Sequence, residues 1–208
     1  MWALIEDNAI TKYFSGNRGI TIGDIQYSRK IFSLWSKSEL EAKGIYEVIQ
    51  NNAKKKDEAY YINTNQTFTY DADAGTVTAT YGSSTAKAHA DTLWTQADSD
   101  NGDLPSDKSV GDVKVEGLKT TLIRTVKSQA AGILQNTDWY IVRKADAGTA
   151  VPSAITTHRA AVRTKCAEME TAITNAADTP ALETLYTHTK QEDGSVTRPL
   201  GQLPTLDS

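Results

Sequence analysis

The sequence predicts an α+β fold, with a small N-terminal antiparallel β domain followed by a C-terminal helical hairpin domain. Up to Gly82, apolar and aromatic residues alternate with threonines and other polar residues at a period of two; beyond Val115 they recur at spacings of three and four. Between these patterns, Asp98-Ser99-Asp100-Asn101-Gly102-Asp103-Leu104-Pro105-Ser106-Asp107 has the composition of a loop and marks the expected boundary. The expected divisions are residues 1–82 for the β domain, 83–112 for a helix and an Asp/Gly-rich linker, 113–190 for the helical domain and 191–208 for a polar tail.

Trp2-Ala3-Leu4-Ile5 and Ala9-Ile10-Thr11-Lys12-Tyr13-Phe14 flank Asp7-Asn8, which is the pattern of a hairpin closed by an Asx-type turn. Ser15-Gly16-Asn17 breaks it, and Ile20, Ile22 and Ile25 continue as extended chain. Ser36 or Ser38 caps a short helix carrying Leu40, and Gly44 supplies its left-handed stop. A strand over 45–50 follows, with Ile45, Glu47 and Ile49 on one face and Tyr46 and Val48 on the other. The clearest hairpin spans 59–82. In it Phe68 and Tyr70, then Val77, Ala79 and Tyr81, alternate with threonines around Asp71-Ala72-Asp73-Ala74-Gly75.

Residues 86–97 predict a helix with Ala90, Leu93, Trp94 and Ala97 on one side. From Val115 a helix of about five turns is expected, with Leu118, Leu122, Val126, Ala130 and Ile133 as its apolar stripe. Thr137 to Lys144 interrupts it. Ser153 is expected to cap a long helix in which Val162, Cys166, Met169, Ile173 and Ala176 follow 4-3-4-3 spacing. That spacing suits an antiparallel helical hairpin within the chain or a coiled coil between chains. Thr179-Pro180 opens a last short helix bearing Leu182, Leu185 and Tyr186.

The chain of 208 residues has a formal net charge of −4, a sequence pI near 5.4 and a mean hydropathy of −0.45. No global positive field is present to neutralise phosphates, and Lys54-Lys55-Lys56 is offset at once by Asp57 and Glu58, so no nucleic acid partner is expected. The single cysteine, Cys166, excludes an internal disulfide and a thiolate metal cluster. The N-terminus lacks a basic, apolar leader pattern, and no stretch approaches the length needed to span a bilayer, so no membrane partner is expected.

Chemistry-bearing motifs are sparse. His89, His158 and His188 stand far apart, without a carboxylate or second histidine at metal-binding spacing, and no phosphate-cradling glycine motif or nucleophile elbow is present. The Asp98–Asp103 run resembles a calcium loop but places its glycine one position early and Ser109 where a bidentate glutamate is required. Cys166 lies on an apolar helical stripe, where a thiol packs as a small hydrophobe. No catalytic residue, cofactor site or metal site is expected. Trp139 either faces a ligand or, with Thr137 or Asp138 as a helix cap, pins the junction to the core; the second arrangement makes Trp139 substantially buried. Arg159 and Arg163, one helical turn apart, pair with Asp138 and Asp146 across the hairpin or meet an acidic patch on a partner.

The stretches Met1-Trp2-Ala3-Leu4-Ile5-Glu6-Asp7-Asn8-Ala9-Ile10, Leu134-Gln135-Asn136-Thr137-Asp138-Trp139-Tyr140, Ala150-Val151-Pro152 and His158-Arg159-Ala160-Ala161-Val162-Arg163 resemble tail-fibre assembly proteins and related small tail proteins of bacteriophages, including marine phage proteins. The shared pattern is a helix, L-x-x-T-D-W, a short helical piece, V-P and a helix bearing H/Y-R-x-x-x-R. The resemblance implies a non-enzymatic protein of tail-fibre assembly whose partner is a tail-fibre, receptor-binding or baseplate protein, with a homo-oligomer as a further possibility. It places the protein in the host cytoplasm during assembly or in the virion tail. A helix and tail beyond Thr179 exceed the commonest pattern, which leaves open an assembly factor or a permanent virion component.

Overall fold

The first reversal is made by Asp7 and Asn8, whose φ values of 50° and 60° both lie in the left-handed region. Asp and Asn tolerate that region better than other side chains do, and two positive φ values in a two-residue turn match the twist of the flanking strands. They join β1 (Trp2–Glu6) to β2 (Ala9–Phe14), with a bulge between Leu4 and Ile5. The computed structural model describes residues 1–206 and divides into two units, Met1–Thr85 and the chain from Ala86 onward. Strands and helices in this order establish the α+β class.

In the first unit, β3 (Ile20–Ile22) pairs with β4 (Ile25–Tyr27), and α1 (Ile31–Leu34) and α2 (Lys37–Glu41) follow. Ser36 and Glu39 close a capping box at α2, fulfilling the expected serine cap. Gly44 has φ +73°, and a Cβ there would stand 2.5 Å from the Ile5 carbonyl oxygen, so only glycine fits this stop. Next come β5 (Ile45–Asn51), β6 (Tyr61–Ile62), β7 (Thr67–Asp71), β8 (Thr76–Thr80) and β9 (Thr85–Ala86), the last pairing with β6.

The main sheet has the order β2-β1-β5-β8-β7. It is mixed, because β5 and β8 run parallel with Val48 opposite Val77; the expected purely antiparallel domain is corrected here. Period-two alternation reports which side chains face inward, and it carries no information about a neighbour's direction. Both faces are packed. Leu4 and Ile45 join Ile20, Ile31 and Leu40 on one side, while Ala3, Val48, Val77 and Ala79 form a cluster on the other. The edge strands approach one another through the Tyr13 and Phe68 rings, 4.6 Å apart, so the sheet curls and its edges are partly occupied.

The second unit begins with β10 (Thr92–Leu93), α3 (Gln96–Asp100) and β11 (Val113–Val115), then α4 (Leu118–Gln135) and α5 (Asp138–Ala147). It closes with α6 (Ser153–Asn175), α7 (Thr179–Tyr186), β12 (Thr189–Lys190) and β13 (Val196–Thr197). The helices α4 and α6 pack antiparallel, as the bonds Lys119–Thr174, Lys127–Glu170 and Arg159–Leu134 show by their descending order. Val162, Cys166, Met169, Ile173 and Ala176 are all buried, so the 4-3-4-3 stripe serves a hairpin within the chain. Pro152, not Ser153, occupies the α6 N-cap.

The helix expected over 86–97 does not form. Instead this segment caps α4, whose own N-cap, Gly117, has no side chain to offer. Ala88 and His89 carbonyls accept from Leu118 and Lys119 amides at 2.9 and 3.0 Å, and Asp91 accepts from the Gly117 amide at 2.7 Å and the Thr120 hydroxyl at 2.8 Å. Satisfying these orphan donors outweighs weak local helix propensity.

The 98–107 stretch is likewise not a simple linker. Asp98 closes a capping box with Thr95 and pairs with Lys114 on β11, while the Lys114 ammonium lies 4.4 Å from the Trp94 ring centre. The region is a lobe of the second unit, and the division falls earlier, at Thr85. The polar tail also packs. Leu200 is buried and its amide bonds the Leu185 carbonyl at 2.9 Å, with Arg198 over the Tyr186 ring; Asp207 and Ser208 lie outside the described residues.

A Cβ on Gly117 would fall 2.3 Å from the Ala90 carbonyl carbon. Gly117→Ala is therefore expected to push the 88–91 segment off α4 and lower stability by about 1–3 kcal/mol, the cost of lost caps and orphaned donors; an unchanged denaturation midpoint would remove the remote cap from the account. Lys114, then Thr95, holds the Asp98 carboxyl at about 2, below its ordinary 3.8. That contribution is complete above about pH 4 and disappears as pH falls through about 2. Asp98→Asn should flatten this part of the acid limb in thermal melts, and an identical slope in both proteins would rule the contact out as its source.

Candidate functional site

The junction of α4 and α5 is built around one buried guanidinium. Arg159, on α6, is only 7% exposed. Its Nη1 donates to the Leu134 carbonyl and to the Thr137 hydroxyl oxygen, each at 2.7 Å, and its Nη2 pairs with Asp138 Oδ1 at 2.8 Å. The Thr137 hydroxyl in turn donates to the Leu134 carbonyl at 2.9 Å. A planar fork with several donors suits this cluster, since a lysine ammonium cannot address three separated acceptors in one plane.

This arrangement explains the L-x-x-T-D spacing. Leu134 supplies an end-of-helix carbonyl, Thr137 a bridging hydroxyl and Asp138 a countercharge, all to the arginine of the later helix. The expected Arg159–Asp138 pairing across the hairpin is present. Arg163 is not brought in: it is exposed and pairs with no carboxylate among the described residues, and Asp146 is likewise exposed. Thr137 stands at the N-cap of α5, but its hydroxyl turns back to α4 and does not cap α5.

Trp139 departs from expectation. It is 52% exposed, so it does not pin the turn to the core; the turn is held by Arg159 instead. Its ring packs on Tyr140 at 3.9 Å, and the Arg143 guanidinium lies 4.7 Å from its centre. The Trp139–Arg143 contact is the i, i+4 pairing of a helix, legible in retrospect as a Trp followed four residues later by Arg. None of the α5 residues is buried, and Ile141 and Val142 are 42% and 65% exposed. The helix thus presents Trp139, Ile141 and Val142 to solvent from a fixed base.

Elsewhere the chemistry is muted. Burial pushes the Cys166 thiol above its ordinary range, and its Sγ lies 3.4 Å from Glu170 Oε1, so it remains a packed thiol. His158 is buried while His188 is exposed. Among the described residues no group of three His, Cys, Asp or Glu side chains is placed to hold a metal ion, and no helix is long and apolar enough to cross a membrane. No known family model matches the chain, and no curated protein or solved structure matches it.

Two substitutions separate base from surface. Arg159→Met is expected to cost about 1–3 kcal/mol, because it strips a buried donor set from Leu134, Thr137 and Asp138. Trp139→Ala is expected to cost at most about 1 kcal/mol, since it removes a ring already half in water together with its cation–π contact. Chemical denaturation of both variants checks this, and a reversed order of costs would mean that the indole carries the junction.

Proposed function

We propose that the protein is a non-enzymatic bacteriophage tail-associated protein that acts by protein–protein binding in tail-fibre assembly, docking through the outward face of α5. The observation that carries this reading is the pairing of a base anchored by the buried Arg159 with an exposed Trp139 and Val142, which share one side of α5 at i, i+3 spacing, and an exposed Ile141 next to Val142. A solvated helix gains nothing in stability by exposing three large apolar side chains, whereas an interface gains much from a rigid aromatic anchor beside an arginine. The resemblance of the L-x-x-T-D-W, V-P and H-R-x-x-x-R stretches to tail-fibre assembly proteins supplies the partner class: a tail-fibre, receptor-binding or baseplate protein.

The test is photo-crosslinking from position 142 in phage-infected cells, combined with Trp139→Ala and Val142→Asp phage. Crosslinks to a fibre, receptor-binding or baseplate protein are expected. Truncating an anchor of this kind costs about 2 kcal/mol, or roughly thirtyfold in affinity, so fibre maturation should fall while the thermal melt of the free protein stays put. Normal maturation in both variants would overturn the docking face. Mass spectrometry of purified virions then separates an assembly factor, which is absent from particles, from a permanent virion component.

A further inference from the structure

Arg143 on α5 is a cation without a partner in the chain. It forms no ion pair and no hydrogen bond with any described residue, although Asp146 follows it at i+3 on the same helix, a spacing at which such pairs can close. Its side chain leans the other way, toward the helix start, as long helical side chains do. The guanidinium carbon lies 4.7 Å from the Trp139 ring centre and 5.5 Å from that of Tyr140, and the two rings pack on one another at 3.9 Å.

The two ends of this guanidinium differ. Nε is shut away from water and meets no acceptor, while Nη1 and Nη2 are neither buried nor bonded. A buried donor left unmet is a cost, which stacking on the two rings offsets. The chain gains no hydrogen bond from this pose; what the pose does is hold a planar fork with its outer N–H groups open to solvent. Trp139, Val142 and Arg143 share one side of α5, at i, i+3 and i+4, so the fork stands beside the exposed apolar side chains. Asp138, at the head of the helix, is already committed to Arg159, and Arg143 and Lys144 against Asp146 leave the uncommitted charge of α5 in positive excess.

Given the docking role proposed for α5, we infer that the partner segment seated on this helix carries an aspartate or glutamate whose carboxylate accepts from Arg143 Nη1 and Nη2, with apolar side chains around it covering Trp139 and Val142. An oriented fork fits a carboxylate because it meets both oxygens with parallel donors. The pair forms against ring faces that exclude water from one side, where a charge-assisted bond is stronger than on open surface. A charge flanked by apolar contacts also sets the register of the segment on the helix, which apolar contacts alone leave loose.

The protein that crosslinks to position 142 serves as the probe, its crosslinked peptide mapped and the purified protein titrated against the full chain. That peptide is expected to contain an Asp or Glu beside the crosslinked residue. Arg143→Gln is expected to weaken binding roughly thirtyfold, the low end for truncating one member of a hydrogen-bonded charge pair, and Arg143→Lys to keep part of the affinity. Arg143→Glu should bind no better than Arg143→Gln until the partner's acid is itself changed to Lys. That exchanged pair should regain at least roughly tenfold, a coupling that a role of Arg143 in merely propping Trp139 does not produce. A crosslinked peptide without an acid, unweakened binding by Arg143→Gln, or no gain in the exchanged pair would each overturn the carboxylate and leave α5 standing as a docking face. No crosslink at all from position 142 removes the docking face and the carboxylate with it, and a crosslink to a second copy of this chain overturns the partner named here.

Discussion

The direction in which α5 leaves the helical hairpin depends on Arg159. Its guanidinium takes a carbonyl from the end of one helix, a hydroxyl from the turn and a carboxylate from the start of the next, so three consecutive pieces of chain are referred to a single point on α6. Burying that cation is tolerable only because the cluster meets it with acceptors. Its Nε atom alone is left buried without a partner. The consequence is a helix whose orientation is set from beneath, leaving Trp139, Ile141 and Val142 exposed. Trp139 stands half exposed just past this anchored turn.

The same logic of remote satisfaction organises the other end of α4. A helix that starts at a glycine has no local cap, and here two carbonyls and the Asp91 carboxylate arrive from about thirty residues upstream. Gly117 is demanded by that approach, because the Ala90 backbone occupies the space a side chain needs. The paired contacts hold the 86–117 segment to the helical unit and turn an Asp-rich stretch into a folded lobe. Hydrogen bonds to the Gly117 amide and the Thr120 hydroxyl also keep the Asp91 carboxyl below its ordinary range, so this cap is charged wherever the protein is folded at neutral pH.

How much was legible beforehand follows from the range of each interaction. Hairpins at Asp7-Asn8 and at 71–75, the Ser36 cap, the Gly44 stop and the α6 stripe depend on neighbours a few residues away, and all were readable. The parallel pairing of β5 with β8, the loss of the helix at 86–97 and the burial of Leu200 depend on partners that arrive from elsewhere, and local pattern cannot carry them. At the candidate site, the Arg159–Asp138 pair was visible as charge and spacing. The exposure of Trp139 was not, because a tryptophan at a helix junction looks identical in sequence whether it fills a pocket or awaits one. Arg163 shows the complementary limit: helical spacing places it one turn from Arg159, yet among the described residues no carboxylate pairs with it.

These ranges bear on what the surface of α5 means. A short helix of ten residues is marginal alone and normally owes its existence to a buried face. Here no residue of α5 is buried, and its stability comes from its ends: Arg159 at the start and Gly148, left-handed at φ +69°, returning its amide to Lys144 at the finish. An element held at both termini and bearing apolar side chains between them has its folding cost met by the scaffold before any partner arrives. Such preorganisation lowers the ordering penalty that a docking event would otherwise incur. Under the proposed docking role, that is the physical advantage of mounting Trp139, Ile141 and Val142 on a braced helix.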